Sequence, residues 1–249
     1  MEFLEPFVRM LGDIASPAQM RAIEGGAPDT DFWSGIEASG YLDTLVSEER
    51  GGAGLSLADA FPLFHALGTF AVGLPVGEMM AQRALAGANV DVDAKRRIGA
   101  VIVAAAIAGA GDRLLAMTID YASQRVQFGK PIARQQAVQQ QLAVMAEQVV
   151  MARIAAQTGC AHGLIPSPEI AAIAKHVTSS AAIRIAAIAH AVHGAIGISE
   201  AHDVSRFTRH LRRLRMAHGS ESYWAERLGR ARLAAPTERM VDHIRAITG

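Results

Sequence analysis

Residues 121–132, YASQRVQFGKPI, set an arginine, a glutamine, an aromatic ring, a glycine and a proline inside one short break between helical stretches. Arg125 at such a break has two readings. A guanidinium is a permanent cation with a bidentate donor fork suited to phosphate, and the backbone amides of a turn readily accept an anion. The same cation can instead cap the carbonyls at the end of a long helix. Phe128 reads as a plug for the turn, with Gln127 beside it. Further along, HAVHGAIGISE at 190–200 places His193 ahead of Gly194 and Gly197, residues that let a backbone be approached closely. On its own His193 reads as a satisfied core histidine. RMAHGSES at 215–222 carries His218, a side chain that titrates near physiological pH and can take up a proton, followed by Gly219 and Ser220. Cys160 is the single cysteine, and neither CxxC nor HExxH spacing occurs, so neither a disulfide nor a metal site is expected.

The elements that must position these residues are helices. Of 249 residues 51% are hydrophobic and 19% charged, ample for a buried core. Lys+Arg and Asp+Glu are 24 each, so the basic excess of a nucleic-acid or membrane-surface protein is missing. RHLRRLR at 209–215 is a local cluster, read with Arg206 as a solvated face or ion-pair network, or alternatively as a phosphate groove or docking surface. The first residues, MEFLEPFVRM, are acidic where a signal peptide is basic, and a cytoplasmic protein is expected. The run IGAVIVAAAIAGAG at 98–111 is shorter than the ~20 residues of a membrane helix and reads as a helix buried on all sides.

Strand patterns are nearly missing, while Ala, Leu, Gln, Met and Arg fill long windows. Helices are expected at about 2–11, 17–24, 30–40, 56–71, 75–86, 93–124, 134–160, 167–193, 199–215 and 219–247. Ser56 and Ser167 are the expected N-caps, with Pro168 at the first helical position, and Pro131 stops the longest helix. The expected fold is all-α. An N-terminal helical part, 1–87, packs on a C-terminal up-and-down four-helix bundle, 88–249, whose fourth helix comes from 199–215 or from the C-terminal stretch.

The stretch YASQRVQFGKPIARQQAVQQQLAVMA (121–146) resembles the C-terminal signature of the acyl-CoA dehydrogenase family, Arg-x-Gln-Phe-Gly-x-Pro-Ile followed by spaced glutamines. HAVHGAIGISE resembles its His-Gly-Gly loop, RMAHGSES lies where it has a glutamate-glycine-threonine stretch, and ASGYLDTLVSEERGGAGLSLADA (38–60) resembles an N-terminal segment. The resemblance implies an FAD flavoprotein in which the flavin's ADP end reaches the bundle of a neighbouring subunit. By this carry-over Arg125, Gln127, Phe128, His193, Gly194, Gly197 and Ser220 are cofactor-binding.

The chain also departs from the family. Where the family has a middle β-domain this sequence has only GANVDVDAK, 87–95, too short for a barrel when one strand takes ~5–6 residues. The catalytic glutamate is replaced by His218; an alternative family position for it falls on Gly99, and the thioester-side arginine on Ala100. Ala191 and Ala195 replace a glutamine and a glycine of the loop. Resemblance and departures together imply a subunit of an acyl-CoA dehydrogenase-type flavoprotein that lacks the catalytic glutamate. Such a subunit lends its bundle to FAD held with, or supplied by, a full-length partner subunit. The alternatives are a non-catalytic assembly or CoA-binding module, and a homo-oligomeric dehydrogenase that uses His218, or less directly Glu221, as base on an acyl-CoA substrate.

Overall fold

The computed structural model describes residues 3–199, 202–234, 239, 241–242 and 244–245. The front of the chain forms α1 (Leu4–Ile14), α2 (Pro17–Glu24), α3 (Thr30–Ser39), α4 (Leu57–Thr69) and α5 (Val76–Ala84). The rest forms α6 (Val92–Gln124), α7 (Gln136–Cys160), α8 (Pro168–His193), α9 (Asp203–Met216) and α10 (Glu221–Ala234). The all-α expectation holds. Among the described residues the strands are β1 (Val126–Gln127) and β2 (Lys130–Pro131), which pair antiparallel with Val126 opposite Pro131 and Gln127 opposite Lys130.

Caps start the helices where the sequence sets them. The side chains of Ser56, Asp91 and Ser167 accept from the amides of Asp59, Ala94 and Ile170, each contact contributing about 1 kcal/mol. At 33 residues α6 is about 50 Å long and is the axle of the fold. Its segment 98–111 is buried at every position except Ala106. α4 and α5 cover one flank, and α7, α8 and α9 cover the others. α4 approaches almost to backbone contact: a Cβ on Gly68 would lie 1.9 Å from the Ala106 carbonyl oxygen, and one on Gly109 1.9 Å from that of His65. By length and composition α6 and the stretch Pro168–Gly197 could each cross a membrane; 78% of the α6 window is buried in protein, as in a core helix.

One core joins the front helices to α6, with Phe7, Phe64, Met80 and Trp224 packed against Ile98, Val101 and Ile102. A second fills the bundle, where Leu114, Met145, Val149, Ile185, Phe207 and Leu211 meet. The fourth side of the bundle, left open between two stretches, is divided. α9 packs on α6 and α8, and α10 packs on α8 beyond the turn at Ala217–Ser220. The helix expected over 219–247 runs to Ala234 as α10; 235–238, 240, 243 and 246–249 lie outside the described residues.

The basic stretch, expected as a solvated face or an ion-pair network, forms ion pairs at Arg206, Arg209 and Arg215 and departs from a solvated face at Arg206. Arg206 is buried and donates to the carbonyls of Phe70 and Ala71 at 3.0 and 3.5 Å, closing the end of α4. His210 beside it is fully buried, and desolvation pushes its pKa down to about 3, so it stays neutral. Arg215 is taken up by Glu221 and Arg209 approaches Glu24.

Candidate functional site

The residues with chemistry gather at two ends of α6. At its C-terminal end the break is a β-hairpin rather than a plain turn. Phe128 and Gly129 occupy its two corner positions with φ of 54° and 74°, the pair of left-handed residues that a two-residue hairpin of this twist requires. Arg125, Gln127 and Phe128 are all exposed. Phe128 is 90% exposed, so it does not plug the turn. Gln127 only donates to the neighbouring Val126 carbonyl at 2.9 Å, and Arg125 is extended and exposed, its own amide completing the last turn of α6 on Tyr121.

Beneath the hairpin, α6 and α8 meet through Tyr121, whose ring stacks on His193 at 4.3 Å and whose hydroxyl reaches the His193 carbonyl at 3.4 Å. His193 is 3% exposed. Its Nδ1 donates to the Ala189 carbonyl at 2.8 Å, which leaves Nε2 as an acceptor, and Nε2 is buried with no protein partner among the described residues. Burial lowers its pKa, with the backbone bond to Ala189 opposing and His202 and His190 adding to the fall. Gly194, at φ 61°, breaks α8, and a Cβ on Gly197 would sit 2.9 Å from that of His193. Tyr121 lies within the quoted motif but outside the candidate set; its spacing four residues before Arg125, on the same helical face, is the signal that marks it.

The other end holds His218 and Ser220. Ser220 opens α10, its hydroxyl accepting from the Tyr223 amide at 3.4 Å. From Gly99 to Arg125 along α6 is about 40 Å, so this group and the hairpin group are separate sites on one chain. His218 has φ 56°, a conformation that costs a non-glycine residue about 1–3 kcal/mol. The surroundings impose it. Trp224 Nε1 donates to the His218 carbonyl at 3.1 Å. From behind, Lys175 Nζ donates to the carbonyls of Arg215 (2.7 Å) and Gly219 (3.1 Å) and to Ser179 Oγ (2.8 Å), using all three ammonium hydrogens. Desolvation pushes the Lys175 pKa down to about 7, Glu221 opposing and Arg215 adding to the fall.

The His218 ring abuts α6 because residue 99 is glycine; a Cβ there would stand 2.4 Å from His218 Cε1 and 2.6 Å from each ring nitrogen. The two positions that the family pattern gives to a base, 99 and 218, therefore converge on one point. Ring and helix form the floor of a cleft of about 460 Å³, with Ile98, Ile102, Ala81 and Leu85 as apolar wall and Gln82 and Lys95 on its lining. The acid within reach of His218 is Glu78 of α5, its Oε1 3.4 Å from Nε2. No sequence motif marked Glu78. Glu221 is turned away: Arg215 Nε donates to its Oε2 at 2.8 Å and Nη2 to the other oxygen, which holds the carboxyl below its usual range. Arg96 bonds the Tyr223 hydroxyl and Arg97 the Pro166 carbonyl, so neither enters the cleft from the place of Ala100.

The family model described as "Acyl-CoA dehydrogenase, C-terminal domain" matches residues 86–233. An acyl-CoA dehydrogenase, IpdE2, of Mycobacterium tuberculosis is 36% identical over 121 residues, which is 49% of this chain and 35% of that protein. The chain thus spans about a third of the length of the curated relatives it matches. Two solved structures align over almost the whole chain. One, of the Tcur3481–Tcur3483 steroid ACAD, has a TM-score of 0.82 at 16% identity and covers 95% of this chain and 98% of that one. The other, the ChsE4–ChsE5 complex of Mycobacterium tuberculosis, has a TM-score of 0.79 at 17% identity and covers 92% and 95%. At these identities the agreement is one of fold.

Proposed function

The chain belongs to the acyl-CoA dehydrogenase family, and on that premise we propose that it is a subunit of a flavoprotein that desaturates an acyl-CoA thioester between Cα and Cβ. In this reading a full-length dehydrogenase subunit carries the β-domain and the catalytic carboxylate, and this chain lends its hairpin end to the nucleotide half of the flavin. The observation that carries it is the outward trio at the hairpin, with Phe128 at 90% exposure on its tip.

The residues present fit the nucleotide end of FAD. Arg125 offers a pyrophosphate a permanent cation free of ion pairs among the described residues, and the buried, unpartnered His193 Nε2 is an acceptor for a ribose or adenine donor nearby. When bound, the flavin supplies the two-electron acceptor of the desaturation. The work of this chain is to bind and orient: Arg125 as phosphate donor, Phe128 as an apolar or stacking surface, Gln127 as a neutral donor or acceptor, and Gly194 and Gly197 as close-approach backbone. Ser220 caps α10 and holds the His218 turn in register. Two-chain assemblies such as the ChsE4–ChsE5 complex, which the chain matches along nearly the full length of one polypeptide, support the heteromeric reading.

The test is spectroscopic. Purified alone, the protein is expected to show no flavin band near 450 nm; co-purified with a full-length dehydrogenase subunit, it forms a yellow complex. Stoichiometric flavin on the chain alone would overturn this reading.

A further inference from the structure

The outer flank of the α7–α8 pair carries an apolar surface that the flavin-binding role leaves unexplained. Val144, Val150, Met151 and Ile154 of α7 are between 40% and 58% exposed, and Ile183 of α8 is 46% exposed, with Ala187 and Ala191 exposed one and two turns on. Of the apolar window of α8 39% is buried, against 78% for α6. The side chains recur at three- and four-residue spacing on one face of each helix, so they make a continuous patch rather than scattered singles.

Two contacts fix the register of the pair. A Cβ on Gly159 would stand 2.7 Å from that of Ala174, and a Cβ on Gly111 would meet Ile185 and Val149 together, at 3.2 and 3.5 Å. The helices therefore run antiparallel, and a residue lying a given number of places before Gly159 is level with one lying as many places after Ala174. By this register Val150 is level with Ile183. Glu147 lies within about 3 Å, along the axis, of the level of Arg184. Both charges are exposed, and neither forms an ion pair among the described residues.

We propose that this face is covered by the same face of a second copy of the chain, with α7 of each copy stacked on α8 of the other. A two-fold axis parallel to the helices exchanges them and leaves every residue at its own height. Val150 and Met151 then meet Ile183 of the second copy, and Glu147 meets its Arg184. Apolar side chains face apolar ones and acid faces base, so the surface is complementary to itself, which a site shaped for an unrelated partner has no reason to be. Its size also suits the role. Helices of 25 and 26 residues, each about 10 Å across, give a strip of roughly 750 Å², close to the ~800 Å² per partner of a specific interface. The inference is independent of the flavin reading above, since it requires no nucleotide and a colourless dimer satisfies it.

The test uses the full chain alone, by sedimentation at micromolar concentration, where a dimer is expected. Glu147→Arg and Arg184→Glu are surface changes that should leave the thermal melt in place. Each sets like charges opposite one another and should raise the dimer Kd roughly tenfold or more, while the double variant returns it to within about threefold of the native value. The stacking is read by mild oxidation, with the native Cys160 buried. Val150→Cys mixed with Ile183→Cys should cross-link between chains, and Val150→Cys alone should not, because the axis sets α7 against α8. A monomer, a Kd unmoved by the single variants or not recovered in the double, or a cross-link of position 150 to itself overturns the inference. Association seen only with a full-length dehydrogenase subunit, or only with phosphatidylcholine vesicles, overturns it as well by giving the face a different occupant.

Discussion

The two ends of α6 are built on opposite plans. At the His218 end every unusual feature is explained from within the chain: an indole, an ammonium and a side-chain-free helix position together hold one imidazole in place. At the hairpin end Arg125, Gln127 and Phe128 stand on a rigid two-residue turn and touch almost nothing. A preorganised group is one whose ordering cost was met on folding, whereas an exposed group meets that cost only when something binds. On the proposed function, the second end is the one that works against another molecule, while the first is ordered entirely from within the chain.

The contrast is put at risk most severely at Trp224, the large side chain buried behind the turn. Trp224→Ala is expected to lose about 3–5 kcal/mol in denaturant unfolding, because it opens a cavity and frees the His218 carbonyl together. Lys175→Met follows at about 2–4 kcal/mol, since it strands the Arg215 and Gly219 carbonyls. The native protein should show a matching pH signature. Burial pushes the folded pKa of Lys175 down to about 7 from 10.5, so between these values the unfolded chain holds the extra proton. Stability then rises with pH across that window, by at most ~1.4 kcal/mol per pH unit, and falls again as pH drops towards 7. Thermal melts of the native protein and the Met variant across pH 7–10 check whether the rise disappears with the lysine.

Gly99→Ala refines the picture. The new methyl displaces the His218 ring, yet unfolding free energy in denaturant is expected to move by no more than ~1 kcal/mol, the helix-propensity gain offsetting part of the clash. The smallest effect on the free chain is expected from Arg125→Ala, within ~0.5 kcal/mol as for other surface changes. The same change should abolish the 450 nm band of the complex with a full-length subunit. An unaltered flavin content there would place the nucleotide elsewhere.

The helices and their caps were legible because caps and an all-round apolar run are local signals: Ser56 and Ser167 act where the sequence puts them, whereas α6 ends at Gln124, well before Pro131, which pairs with Val126 in the hairpin instead of stopping the helix. The hairpin was not legible, since a two-residue strand offers no alternation to read and Phe128 is a poor candidate for a left-handed corner. The trio 125–128 and the two alternative base positions, 99 and 218, came from the family resemblance, while the meeting of 99 and 218 is visible only in the structure. Glu78 and Lys175 could not be read from the sequence, because they reach the site across distances of 140 and 40–44 residues along the chain, and periodicity carries no information about such meetings. Arg206 misled for the same reason. Its charge predicts solvent, while the open carbonyls ending α4, 135–136 residues away, draw it inside.

The corner residue at 128 has a consequence for how the protein tolerates change. A left-handed backbone disfavours a bulky L-residue by roughly 1–2 kcal/mol, and an exposed ring returns little by burial. Libraries at this position sorted for thermal endurance of the lone polypeptide should therefore converge on glycine or asparagine. The same libraries sorted for a coloured assembly should return the aromatic, and the gap between the two winners would measure what the ring does for its neighbour.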